Sequence, residues 1–246
     1  MELVRLNYES YHKVREEISK QLEENQSVSL ERGNLMLVRI TNELLNLFSA
    51  IRTFLDHSQT SLDREFGKTS GELDKFNTAR TGEFDANFSY RFLYQLRNFT
   101  QHCGLPIGEF RLGVNPDPSN LQAALATVEC FFKRDYLLSN FNKWGKHVEP
   151  ELVKMPEEFP IEPHVESVFA AVERIESTLI SIQGDGLERH LGVLEAFANE
   201  VKHLDGCPCV YNSILKMQDG SLRANYQRIY LDTLQLIRGQ LAVPQP

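Results

Sequence analysis

At 246 residues, with 41% hydrophobic and 24% charged residues, the chain is long enough for one large core or two small ones. No run approaches the roughly 18 apolar residues that a membrane span needs, so no membrane partner is expected. A formal charge of −8, from 26 basic and 34 acidic residues, argues against a protein that coats nucleic acid through many cations, but not against a small local basic site.

The opening MELVRLNYESYHKV has neither a basic n-region nor an apolar h-region, so no signal peptide is read there. Cys103, Cys130, Cys207 and Cys209 show no disulfide-framework spacing, which fits a reducing, cytoplasmic setting. Residues 8–24 carry a helical pattern. After Gly33 comes a stronger one, LMLVRITNELLNLFSAIRTFLDHSQTSLDREF. Leu37, Leu44, Phe48, Ile51, Leu55 and Leu62 recur in it at three-, four- and seven-residue steps, the apolar stripe of a long helix. Gly67 and Gly71 interrupt it, a short helix is predicted over 72–81, and another over about 86–103.

The character then changes. Phe110, Leu112 and Val114 alternate with Glu109, Arg111 and Gly113, which predicts a strand, and NPDPSN is turn chemistry. ATVECFFK fits either the returning strand of a hairpin or a helix beginning after Ser119. Helical patterning resumes at RDYLLSNFNKW. EPELVKMPEEFPIEP is a proline-punctuated connector whose acidic residues form a solvated face. Helices are predicted over about 163–183, 186–204 and 219–240. The fold class expected is mainly α: a helical bundle with a small β-hairpin after the 86–103 helix and further C-terminal helices. Residues 1–160 form the first domain in this reading, and 161–246 are helices packed on it.

One segment carries more information, YQLRNFTQHCGLP at 94–106. On a helix, Phe88, Phe92, Leu96, Phe99 and Cys103 fall in one narrow sector, the core face. Asn98 and His102 share a flank, with Tyr94 one turn before Asn98. Arg97 projects away from the core, with a side chain long enough to swing toward His102. Gly104 suits the left-handed position that ends many helices, and Pro106 cannot continue one. His102 therefore sits in the last turn, where the helix dipole favours a cation and a proton donor near neutral pH. Arg97 offers a planar fork for an anion such as phosphate. Arginine to stabilise phosphate charge and histidine to move a proton make a set suited to phosphoryl transfer without metal. Between Ala86 and Arg111 the acidic side supplies only Glu109 against Arg91, Arg97 and Arg111.

The segment LRNFTQHCGLP resembles the signature of the HEPN superfamily, helical proteins marked by an RNxxxH motif whose three defined positions are filled by Arg97, Asn98 and His102. This resemblance implies a HEPN-like bundle. It also implies a metal-independent endoribonuclease of toxin or anti-phage defence type, in which the RNA 2′-hydroxyl attacks the adjacent phosphate. Its products would carry a 2′,3′-cyclic phosphate and a 5′-hydroxyl. Arg97 would neutralise phosphate, His102 transfer the proton and Asn98 orient one or the other. One motif supplies one histidine, whereas the reaction is helped by both a base and an acid; a twofold homodimer supplies both. RNA is thus the expected substrate, an antitoxin or defence-complex protein an expected partner, and no cofactor is implied. The alternatives are a non-catalytic HEPN-like interaction module and a small-nucleotide-binding regulator. Some HEPN toxins carry an adenylylated tyrosine two residues past the histidine; here that position is Gly104.

Other motifs are weaker. RTFLDH pairs Arg52 with Asp56 at an i,i+4 spacing, most simply an ion pair, with His57 off the apolar stripe. Tyr94, Arg52, Asp56 and His57 are secondary candidates for the same site. HLDGCPC places His203, Cys207 and Cys209 close together but lacks zinc-site spacing, and a loop is the favoured assignment. GDGLERHLG has no preceding strand and no Lys-Ser/Thr for a phosphate loop, so no metal or cofactor site is expected.

Overall fold

Two long helices begin the chain, joined by a four-residue connection: α1, Glu2–Asn25, and α2, Leu30–Phe66. Ser29 explains why α2 starts ahead of Gly33. Its hydroxyl caps the helix by accepting from the Arg32 N–H at 3.3 Å. The two helices run antiparallel, with Arg39 reaching Glu17 at 2.7 Å. Leu44, Phe48, Ile51, Leu55 and Leu62 of the expected stripe are buried, while Leu37 is half-buried. This is the computed structural model of the chain, and it describes residues 1–25, 27–117, 120–201, 203 and 209–228.

Gly67, at φ 93°, closes α2, and Ser70 caps α3, Gly71–Ala86, through the Leu73 N–H. α3 outruns the predicted 72–81. Its sequence is mostly polar, and only Leu73 and Phe76 are buried, so little apolar period marked its end. Asn87 both ends α3 and caps α4, Phe88–His102, by accepting from the Tyr90 N–H at 3.2 Å.

Next comes an antiparallel hairpin, β1, Glu109–Asp117, and β2, Asn120–Lys133. Of the two assignments the sequence left open for ATVECFFK, the strand is the one adopted. Short helices α5, Arg134–Asn140, and α6, Glu149–Leu152, follow. Within the connector, β3, Glu158–Pro160, adds a third antiparallel strand, Phe132 opposite Phe159. Three residues between prolines are too few to show an alternation. One face of this sheet is apolar, with Val128, Cys130, Phe132 and Phe159 buried. The other carries an ion network: Lys133 to Glu109 at 2.8 Å and to Glu158 at 3.5 Å, with Arg111 joined to the same two carboxylates.

Helix α7, Glu162–Val201, is continuous where two helices were expected over 163–183 and 186–204. Gly184 and Gly186 lie inside it. A glycine costs a helix about 1 kcal/mol, which an apolar stripe on either side outweighs. The chain divides into two compact units, residues 1–179 and 180–246, with the division inside α7. Pro160, at the boundary read from the sequence, ends a strand paired into the sheet of the first unit.

In the second unit Leu191 is buried, with Leu194 and Phe197 packed against it. The helix predicted over 219–240 is corrected across its described part. β4, Cys209–Lys216, and β5, Leu222–Arg228, form an antiparallel hairpin there. Gly220 at φ 84° makes the turn, and the Asp219 carboxylate accepts from the Ser221 N–H at 2.9 Å. Leu222, Ala224 and Tyr226 then alternate along the strand. Residues 229–240 lie outside the described residues. No helix among the described residues is long and apolar enough to cross a membrane.

Candidate functional site

Helix α4 is held from one side by an aromatic cluster. Phe92, fully buried, stacks on Trp144 at 5.6 Å and meets Phe88 at 5.3 Å, Phe132 at 5.2 Å and Phe159 at 6.0 Å. Phe99, one turn after Leu96, also stacks on Trp144 at 5.9 Å. The Trp144 N–H donates to the Leu137 carbonyl at 3.2 Å, so the ring is buried without an orphaned donor. Of the face predicted as core, Phe92, Leu96 and Phe99 are fully buried, while Phe88 and Cys103 are half-buried. His164 enters this cluster, joined to the Ser89 hydroxyl at 2.8 Å, and burial pushes its imidazole down to about 4. At the start of α4, Asn87 exchanges hydrogen bonds with Ser167 of α7 at 3.2 and 3.3 Å.

The opposite side of α4 carries the polar candidates. Arg97 is half-buried and lines a hollow of about 20 Å³, room for a single water, with Arg52, Ile51, Tyr94 and Leu93. The Arg52 guanidinium lies over the Tyr94 ring at 4.6 Å and its Nε donates to Asp56 at 2.7 Å, the ion pair expected of the i,i+4 spacing. Tyr94, Arg52 and Arg97 are thus brought together, with Asp56 behind Arg52. His57 is exposed on another part of α2, beside Thr60 and Arg64.

His102 lies outside the hollow. It is exposed in the last turn of α4, and none of the described residues hydrogen-bonds to its ring. Arg97 does not swing toward it. Its Nη1 reaches Gln101 at 3.4 Å, a weak contact, while its Nε is occluded and unpaired. Asn98 donates to Gln95 at 3.1 Å, so its amide also faces back along the helix. Gly104 takes a positive φ, 143°, and a Cβ there would come within 2.8 Å of the Tyr136 hydroxyl.

The basic stretch expected between residues 86 and 111 is also corrected. Arg91 is only 8% exposed and structural. It donates to the Phe84 carbonyl at 2.9 Å, to Asp85 at 3.2 Å and to His147 at 3.3 Å, and pairs with Glu151. Arg111 is consumed by Glu109 and Glu158. Beside Arg97 lies Arg52 of α2, whose charge Asp56 partners, and the adjoining space around Tyr90 and Tyr94 holds Arg80 of α3. Arg80 was not singled out by sequence, and only the packing of α3 on α4 brings it close. Its charge and hydrogen bond oppose the upward push that burial gives the Tyr90 hydroxyl. Among the described residues neither Arg80 nor Arg97 has a carboxylate partner.

Among the described residues no three His, Cys, Asp or Glu side chains gather as metal ligands. Most of HLDGCPC lies outside the described residues; Cys209 begins β4. No family model, curated protein or solved structure matches the chain. What the geometry offers chemically is two guanidinium groups without carboxylate partners among the described residues, Arg80 and Arg97, beside two tyrosines. An exposed imidazole stands one and a half turns from Arg97 on the same helix.

Proposed function

We propose that the protein is a metal-independent endoribonuclease of toxin or anti-phage defence type, built on a HEPN-like bundle and completed by a second copy of the chain. The observation that carries this reading is the state of the RNxxxH residues. Arg97 keeps its charge free of any carboxylate among the described residues, and His102 is exposed with its ring uncommitted. Structural arginines and histidines in the same fold look different: Arg91 and His164 are both bonded into the interior. In the reaction, Arg97 binds the scissile phosphate. His102 of one protomer removes the 2′-hydroxyl proton, and the same residue of its partner protonates the departing 5′-oxygen. Asn98 steadies the helix flank between them.

The test is incubation with labelled single-stranded RNA in the presence of a chelator. Cleavage is expected to yield 2′,3′-cyclic phosphate and 5′-hydroxyl ends, with a loss of at least a hundredfold for Arg97→Ala and for His102→Ala (roughly the scale of removing a charge-stabilising or proton-transferring group). Full cleavage by either variant refutes the roles. Light scattering is expected to give twice the chain mass.

The separation of His102 from the Arg97 hollow within one chain favours a second reading, a nucleotide-binding or interaction module without catalysis. Nucleotide binding by a monomer, with no RNA cleavage, selects it.

A further inference from the structure

We infer that the cleft between α2, α3 and α4, beside the Arg97 hollow, is a subsite for one nucleotide of single-stranded RNA, its phosphate on Arg80 and its base against Tyr94. This inference rests on the reading of the protein as one that acts on RNA, and it adds residues outside the RNxxxH motif to substrate recognition.

The cleft has a volume of about 430 Å³, within the usual range of small-molecule sites, and is walled by Gln59, Asn77, Arg80, Thr81, Phe84, Tyr90 and Tyr94. Tyr90 and Tyr94 also line the Arg97 hollow, so the two spaces are neighbours across the same rings. The hollow has room only for a water, so of the two spaces the cleft alone can hold a nucleotide, and Arg80 lines it. The Arg80 guanidinium lies over the Phe76 ring at 5.6 Å, its Nη1 donates to Gln59 and it also hydrogen-bonds the Tyr90 hydroxyl; its Nε is occluded, so a ligand meets only the outer Nη groups.

Charge selects the ligand class. The nearby acids are engaged elsewhere, Asp56 by Arg52 at 2.7 Å and Glu83 by Arg174 at 2.6 and 2.7 Å. In a chain of net charge −8, two arginines without carboxylates at adjoining spaces mark an anion site. A divalent cation finds no carboxylate in the lining, and a lipid tail, though it could meet Phe84, would desolvate the Gln59 and Asn77 amides and the Arg80 guanidinium. A nucleotide uses every part: phosphate on the guanidinium, the base face on a tyrosine ring, and the base edge on Gln59, Asn77 and Thr81 as donors and acceptors. Stacking on a side chain requires an unpaired base, so a single strand fits and a duplex does not.

The experiment is fluorescence anisotropy with a 5′-fluorescein-labelled ten-nucleotide RNA, on the intact chain carrying His102→Ala to prevent turnover. Arg80→Gln added to that background is expected to weaken binding roughly tenfold, and Tyr94→Leu at least fivefold. Arg80→Lys, which restores a cation, is expected to recover much of the loss. Arg111→Gln, removing an equal charge from the sheet, leaves binding unchanged. Circular dichroism and Trp144 fluorescence check that each variant is folded. Equal affinity of the Arg80→Gln and parent chains, an equal loss from Arg111→Gln, or no RNA binding by the parent overturns the inference. The cleavage assay on the wild-type chain is a separate readout. Absence of cyclic-phosphate products with the Arg80 dependence intact removes the nuclease reading and leaves the subsite. Cleavage with KM unaltered by Arg80→Gln does the reverse.

Discussion

His164 gives the first unit a specific weakness to acid. Its imidazole is half-buried among Phe88, Phe92, Phe132 and Phe159, with ring centroids between 5.4 and 6.2 Å, and the Ser89 hydroxyl is its hydrogen-bond partner. Burial lowers its pKa from 6.5 to about 4. Between those values the unfolded chain holds a proton that the folded chain refuses, so stability falls as pH drops through the window and levels off below it. The gap of about 2.5 pH units, at about 1.4 kcal/mol each, is worth about 3 kcal/mol by pH 4. The assay is urea unfolding between pH 7.5 and 4, followed by the fluorescence of Trp144, the single tryptophan and a member of the same cluster. His164→Gln removes the titration and serves as the reference, since carboxylates contribute their own acid sensitivity to both proteins. Wild type is expected to lose about 3 kcal/mol more than the variant across this range. Parallel stability curves, or a folded-state His164 resonance titrating near 6.5, would refute the argument.

Two further predictions concern groups that the proposed chemistry does not use. Arg91→Met removes the donor to the Phe84 and Asp85 carbonyls, while the Glu151 carboxylate, 43% exposed, turns to solvent; the exchange is expected to cost about 2 kcal/mol in the same urea assay. A cost under 1 kcal/mol would show that solvent replaces those bonds. Cys130 is fully buried, and burial pushes its thiol up to about 12. It is expected to resist alkylation at pH 8 until the chain unfolds, while the half-buried Cys103 is modified; peptide mapping by mass spectrometry reads both.

Periodicity told most about helices with one strongly apolar face. The stripe from Leu44 to Leu62 and the sector of Phe92, Leu96 and Phe99 were visible because burial demands repeats of three and four residues. The polar helix α3 offered no such stripe, and its length rests on Ser70 and Asn87 at its ends. Gly184 and Gly186 suggested a break that the surrounding helix absorbs, and the Leu222–Arg228 strand was mistaken for a helix because its apolar residues are few. At the candidate site, residues sharing a helix turn were legible, as with Arg52 and Asp56. The meeting of Arg52, Tyr94 and Arg97 is tertiary, and so is the approach of Arg80 to Tyr90. The neutralisation of Arg91 by residues around 84, 85, 147 and 151 likewise depends on packing that a one-dimensional count of charges does not contain.

Helix α4 separates what keeps the protein folded from what faces the outside world. Phe92, Leu96 and Phe99 have no exposed surface, so exchange there opens a cavity and costs several kcal/mol, on the order of 3–5 for a phenylalanine. Gln101 and His102 are exposed, and substitution at such positions usually changes stability by about 0.5 kcal/mol or less. The outer side of this one helix can therefore change with little penalty in folding. Surface chemistry and folding are thus separately adjustable on α4: its exposed residues can be exchanged while the inner rings stay as they are.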